Sequence, residues 1–195
     1  MINENFIPKK IFLTRGVGIN KRKLASFEMA VRNAGIAEFN LVRVSSIFPP
    51  RARLILKQEG LKVLRPGQIL FCVMSDAATN EPGRLIAASV GIARPVDTNR
   101  YGYLSEHHTF GETAKQAGEF AEDLAAEMLG STMGLDINVD KAWDPRRGIY
   151  RFPQNIIKTK NITSAAAGHR HGLWTTCIAA AIFILDDTLP GQVRA

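Results

Sequence analysis

Apolar and polar positions recur along this chain with two periods, and the periods divide it into strands and helices. Lys10–Thr14 has the β-favouring pattern of a short strand, and Arg15-Gly16-Val17-Gly18 after it reads as a turn. Ser26–Ala34 switches to helical spacing, with Phe27, Ala30, Val31 and Ala34 able to share one face. Ser26 is placed to cap that helix, and Gly35 to end it where a positive φ is wanted. Asn40–Ile47 reads as one strand on Leu41, Val42, Val44 and Ile47. Pro49-Pro50 stops it, because proline supplies no ladder donor and restricts the residue before it. Ile69–Met74 and Leu85–Ala93 are two more apolar strands, separated by turn chemistry at Asn80-Glu81-Pro82-Gly83, and Tyr101–Phe110 is a further one.

Glu112–Leu129 is the strongest helical pattern, since Ala117, Phe120, Ala121, Leu124 and Met128 follow i, i+3, i+4 spacing, with Gly130 placed to end it. Met133–Asn161 is mainly polar, and Trp143-Asp144-Pro145-Arg146-Arg147-Gly148 reads as a loop. Leu173–Leu185 is the longest apolar stretch, interrupted only by Thr175 and Thr176. Its Trp174, Thr175, Thr176, Ile178, Ile182, Phe183 and Ile184 favour strand, while its alanines leave helix open. Neither repeats nor low-complexity segments occur. Strands outnumber helices, and amphipathic helices need a sheet face to cover, so a layered α/β or α+β fold is expected. One domain over residues 1–195 follows from the length, which is enough to bury a sizeable core.

Composition narrows the functional classes. At 46% hydrophobic and 22% charged, the chain is that of an ordinary globular protein and not of a disordered one. Cys72 and Cys177 lie in apolar runs without C-x-x-C spacing, so they read as buried free thiols in a reducing compartment. Met1–Lys10 lacks the apolar core of a secretory signal, and Leu173–Leu185 is shorter than the ~20 residues of a membrane helix. A cytoplasmic protein with no membrane partner is expected. The net charge of +7 comes from scattered residues such as Lys21, Arg22, Lys23, Arg51 and Arg53, not from a stripe interleaved with aromatics. It therefore reads as a solvated basic surface and not as a nucleic-acid site.

The segment with chemical content is Asn-Leu-Val-Arg-Val-Ser-Ser-Ile-Phe-Pro-Pro at 40–50, preceded by Asn-Ala-Gly-Ile at 33–36. A Ser-Ser pair alone assigns nothing. Here two hydroxyls end an apolar strand and two prolines follow, which forces a sharp turn of the kind often tied to function. This segment resembles the processing segment of the pyruvoyl-dependent arginine decarboxylases. Gly83–Val90 is similar to a glycine-started strand of that family, Gly102–Glu106 to its glutamate-bearing strand, and Leu173–Leu185 to its alanine-rich closing segment. The resemblance covers most of the chain, whereas Met133–His169 looks longer than in the shorter family members.

The resemblance implies a single-domain α+β four-layer αββα sandwich, cut autocatalytically between Ser45 and Ser46 into a β chain of residues 1–45 and an α chain of residues 46–195. Ser46 becomes a pyruvoyl group, an electrophilic carbonyl that stands in for pyridoxal phosphate as electron sink when L-arginine is decarboxylated to agmatine. Neither metal nor pyridoxal phosphate is implied. Asn40 matches a family position that serves the oxyanion or the pyruvoyl carbonyl; the competing reading is a strand-edge asparagine bonded to nearby backbone. Glu106 matches the family's proton donor or acceptor, a role suited to a carboxyl in an apolar pocket; the competing reading is a solvated sheet-edge glutamate.

Glu28 stands where the family has an aspartate for the substrate guanidinium. Glutamate keeps the bidentate carboxylate and adds a methylene, so the pocket suits arginine or a shorter base; a surface glutamate is the alternative. Leu24, Val31 and Phe39 occupy positions that line the aliphatic part of the substrate, or are core. A homotrimer with sites shared between neighbours is also implied.

Weaker signals point elsewhere and carry less. Gly16-Val17-Gly18 lacks the rest of a dinucleotide fingerprint. His107 and His108 would alternate to opposite faces of a strand and read as structural, and His169 with His171 reads as a loop, not a metal site. The competing functions are a pyruvoyl decarboxylase for another amino acid and an uncleaved basic binding module.

Overall fold

The structure, a computed structural model, describes residues 6–134, 143–144, 149–152 and 155–185. Its elements in chain order are β1 (Lys10–Asn20), α1 (Lys23–Asn33), β2 (Asn40–Arg43), β3 (Ile47–Phe48), β4 (Arg53–Ile55), α2 (Lys57–Leu61), β5 (Ile69–Thr79), β6 (Leu85–Pro95), β7 (Gly102–Phe110), α3 (Ala114–Thr132), β8 (Trp143–Asp144), β9 (Ile149–Phe152), β10 (Asn155–Ala167) and β11 (Trp174–Ile184). The first sheet has the order β2-β5-β11-β1-β4, and the second β3-β7-β6-β10-β9-β8. Pairing is antiparallel except for β1 with β4 and β2 with β5.

The two sheets meet face to face. Ile11, Val73, Cys177 and Ala179 of the first bury against Ile86, Val90, Ile92 and Leu104 of the second. On the other face of the first sheet, Ala30, Val31 and Ala34 of α1 cover Phe12, Cys72, Met74 and Ile178. Helix α3 covers the far face of the second sheet, setting Ala125, Ala126 and Leu129 on Ala93 and Ile157. The fold is therefore α+β, as the sequence led one to expect. Strand β11 shows why its sequence is apolar at every position from Cys177 to Ile184. Cys177, Ala179, Ala181 and Phe183 face the second sheet, while Ile178, Ala180, Ile182 and Ile184 face α1, so both faces of a central strand are buried.

Several local expectations are corrected. Arg15–Gly18 is not a turn: β1 runs through it, paired to β11 from Lys10 to Asn20. The glycines are there because α1 lies directly on them. A Cβ on Gly16 would fall 2.1 Å from the Ala30 carbonyl oxygen, and one on Gly18 2.1 Å from that of Ser26. Ser26 is not the cap of α1, which starts three residues earlier after Arg22. The Ser26 hydroxyl is buried within 2.7 Å of the Thr176 hydroxyl, tying helix to sheet. Gly35 does adopt the left-handed conformation expected after α1, at φ 74°.

Gly130 does not end α3, which continues to Thr132. The start of that helix is fixed by Thr113, whose hydroxyl accepts from the Gln116 N–H while the Gln116 side chain accepts from the Thr113 N–H. The polar stretch Met133–Asn161 hides the start of β10, a thirteen-residue strand from Asn155 to Ala167. Trp143 and Asp144 form the short β8, and the rest of the loop expected there, Pro145–Gly148, lies outside the described residues. No described helix is long and apolar enough to cross a membrane.

Candidate functional site

The strand expected over Asn40–Ile47 is two strands, and the break between them falls at the two serines. Strand β2 pairs in parallel with β5 in the first sheet, from Asn40 opposite Ile69 to Arg43 opposite Cys72. Val44 N–H still donates to the Cys72 carbonyl at 3.0 Å. Two residues later the chain is in the second sheet, where the Leu104 N–H donates to the Ser46 carbonyl at 2.8 Å and Ile47 pairs with Tyr103. Val44–Ser46 thus crosses from sheet to sheet, anchored by one backbone bond at each end. Ser45 is exposed and Ser46 half-buried.

The crossing is closed by a tight turn. Ile47 N–H donates to the Ser45 carbonyl at 3.1 Å, folding the backbone around Ser46. This bond polarises the carbonyl between the two serines and places a donor on the oxygen that gains charge if that carbonyl is attacked.

Glu106 sits beside the crossing. It is on β7, on the same face as Leu104, whose side chain enters the core between the sheets, whereas Ser105 and His107 face α3. Its Oε1 accepts the Met74 N–H at 3.1 Å, two residues beyond Cys72 on β5. The Glu106 carboxylate therefore bridges the two sheets, and in a single copy of the chain it is exposed rather than enclosed in an apolar pocket. The neighbouring Ser75 hydroxyl donates to the His107 carbonyl at 2.6 Å and makes a second bridge between the sheets. Arg43 and Asp76 pair at 2.5 Å on the same edge. Beneath them the Cys72 thiol is pushed up to about 11 by burial, partly offset by Arg43 and reinforced by Glu106.

The other candidates lie elsewhere. Asn40 is at the far end of β2, its amide donating to the Gly67 carbonyl at 2.9 Å. At ~3.3 Å per residue the strand carries Val44 about 13 Å away from it. Leu24 and Glu28 share an open stripe of α1, Leu24 being 80% exposed, while Val31 is 6% exposed and belongs to the core under that helix. Phe39 packs half-buried against the same core. The Glu28 carboxylate already holds a guanidinium: Arg32 reaches Oε1 with Nη2 at 2.6 Å and with Nε at 3.2 Å. Both partners are solvent-exposed, so this pair is weak and open to exchange. In one copy of the chain Glu106 stands two residues along β7 from Leu104, which bonds Ser46, whereas Asn40 begins β2 and Leu24 and Glu28 lie on α1. Among the described residues no three His, Cys, Asp or Glu side chains gather as a metal group. His107 instead pairs with Glu112 at 3.1 Å and stacks on Phe120.

Residues 10–188 match the family model described as "Pyruvoyl-dependent arginine decarboxylase". The chain belongs to that family. A relative from Nitrosopumilus maritimus, named pyruvoyl-dependent arginine decarboxylase, is 53% identical over 93% of this chain and 99% of its own. One from Chloroherpeton thalassium, named a probable pyruvoyl-dependent arginine decarboxylase, is 54% identical over 92% of this chain and 98% of its own. A third, from Methanococcoides burtonii, is 51% identical over 92% and 99%.

The residues at the crossing fit the prosthetic group that gives the pyruvoyl-dependent arginine decarboxylase family its name. A pyruvoyl group is built from a serine once its preceding peptide bond is broken, and here the half-buried Ser46 follows a carbonyl that is hydrogen-bonded within the turn. Sequence reading missed the donors, because Ile47 and Leu104 act through backbone N–H groups that no side chain announces. The signal that was available is Pro49-Pro50, which stops β3 after two residues and confines the crossing.

Proposed function

We propose that this chain is a self-processing enzyme that decarboxylates L-arginine to agmatine and carbon dioxide, using a pyruvoyl group formed from Ser46. The carrying observation is the crossing itself, with the Ser45 carbonyl hydrogen-bonded to Ile47 N–H and the Ser46 carbonyl to Leu104 N–H. In this reading the Ser46 hydroxyl attacks the Ser45 carbonyl and the peptide C–N bond breaks, leaving an ester and a free Ser46 amine. Loss of the Cα proton expels the Ser45 carboxylate. The dehydroalanine that remains takes up water and releases ammonia, so residues 1–45 and 46–195 become separate chains. The Ile47 N–H serves the oxyanion of the first step, and Glu106 is placed to move the protons. The group so formed supplies an electrophilic carbonyl that holds the electrons left by carbon dioxide.

Substrate recognition falls to Glu28, whose pairing with Arg32 is the contact a substrate guanidinium would make. Leu24, with Phe39 and Val31 beneath, supplies apolar surface for the substrate's methylenes, and Asn40 orients the reacting carbonyl. Because Asn40 and Glu28 lie away from Ser46 in one copy, the reading places the complete site between two copies of a homotrimer. The exposed Leu24, Val42, Ile47 and Ile69 favour burial between copies. The layers of α1, the two sheets and α3 support the four-layer αββα sandwich. The proposed enzyme is cytoplasmic and needs neither metal nor pyridoxal phosphate; it has no nucleic-acid partner.

Intact mass of the denatured protein tests processing: two chains meeting at Ser45 and Ser46, the larger with a blocked N-terminus, are expected. A single chain with free serines overturns the reading. A panel of arginine, ornithine, lysine and histidine then tests the substrate. Faster turnover of any of the other three would reassign Glu28 to that amine.

A further inference from the structure

Immediately downstream of the crossing lies a second recess that the reaction above does not use. Phe48 and Pro49 form one side, with Arg94, Lys158, Arg51 and Arg100 around them. The hollow holds about 110 Å³, well short of the ~300–1,000 Å³ of drug-sized sites, so it has room for a compact ion only. Four of its lining side chains are cations and none is a carboxylate. Among the described residues, none of the four belongs to an ion pair. The nearest acidic residue along the chain, Asp97, turns its Oδ1 to the Asn99 N–H and side-chain amide.

Two further observations separate this recess from a merely basic surface. Arg94 is half-buried with its guanidinium 5.3 Å above the Phe48 ring, and burial holds its pKa below the ordinary arginine value. A charge kept there without a counterion is unfavourable unless something else offsets it. Arg51 is the one non-glycine residue among those described with a positive φ, 59°, a conformation that L-residues retain only where the surroundings impose it. Its backbone N–H is held by the Thr98 carbonyl at 2.8 Å and its Nε by Asn99 Oδ1 at 2.9 Å. The guanidinium is thereby fixed in orientation at the mouth of the recess.

We propose that this recess is a binding site for a compact multivalent anion of the phosphate class. Three guanidinium forks and one ammonium around a concavity match the several acceptor oxygens of a phosphate. The cations surround one hollow instead of forming the extended stripe a nucleic-acid backbone requires. An occupant would also brace β3, because Phe48 both lines the recess and pairs with Gly102.

The test uses the assembled, processed protein and inorganic phosphate, with sodium chloride at matched ionic strength as reference. Saturable heat of binding and a rise in melting temperature with phosphate alone are expected. The double variant R51G/R100M should bind phosphate about tenfold or more weakly, as loss of two charge-assisted donors implies. Glycine suits the φ of residue 51, so the variant should keep the unliganded melting temperature. A second arm titrates glycerol 3-phosphate: tighter binding than phosphate identifies an ester as the natural occupant, and weaker binding identifies the free ion. Equal responses to phosphate and chloride, or undiminished phosphate binding in the double variant, would overturn the proposal.

Discussion

Ser46 owns the hydroxyl, but the bonds that hold its peptide come from the backbones of Ile47 and Leu104. Ser46→Ala should therefore leave this backbone intact while yielding one uncut chain without decarboxylase activity, read by mass and by release of labelled carbon dioxide. Glu106→Gln keeps an acceptor for Met74 N–H and removes the titrating group. It should slow cleavage or turnover by ~10²-fold or more, measured as the half-time of processing and as kcat. Asn40→Ala should cut turnover by a similar ~10²-fold; near-normal kcat would return Asn40 to the purely local role its bond to Gly67 describes.

Two other residues respond to pH. Burial pushes the thiols of Cys72 and Cys177 up from 9.0 to about 11. Their folded pKa is above the unfolded one, so the stability tied to the protonated thiols is complete below pH 9 and is lost as pH rises through about 11. Urea midpoints should fall over that window in the wild type. The fall should be shallower in Cys177→Ala, whatever the variant's starting stability.

At the scale of elements, the contact of β1 with α1 is the most constrained. Gly16→Ala asks for a methyl where the Ala30 carbonyl already lies, so helix or strand must shift. A loss of ~1–3 kcal/mol or more is expected in equilibrium unfolding, the cost of overpacking a close contact. Thr113→Ala removes one half of a capping box and should cost about 1 kcal/mol.

These elements also show how far the sequence could be read. Strands and helices with a single buried face, such as α1, α3 and β7, were legible because their periodicity reports that face. Gly16 and Gly18 misled because a glycine that makes room for a helix looks, in sequence, like one that makes a turn. Strand β10 was missed because Lys158, Lys160 and Asn161 break its apolar pattern, and the hydrogen bond of Asn161 to Glu122 of α3 is a tertiary fact. The serines were singled out through their neighbours, Asn40 through Pro50. That the chain changes sheets between Arg43 and Ile47 was not legible, since one continuous β pattern describes both pieces.

At the scale of the molecule, the proposed cut divides the fold unevenly. Strand β1, α1 and β2 fall in residues 1–45, yet β1 lies between β11 and β4, and β2 pairs with β5, all of the other fragment. The fragments should leave a gel-filtration column together under native conditions and part only in denaturant. Val44 and Ser46 are each held by a backbone bond outside the cut, so the new ends should stay near each other.

That interleaving has a consequence for the protein's history. An uncut chain finds its sheets by closing loops within one molecule, whereas a cut one must recruit residues 1–45 by diffusion. Melting of the mature protein should be concentration-dependent, and cooling should recover little of it, while Ser46→Ala regains its structure at any dilution. The molecule folds with one covalent sequence and works with another, so heat erases something that biosynthesis alone can write again.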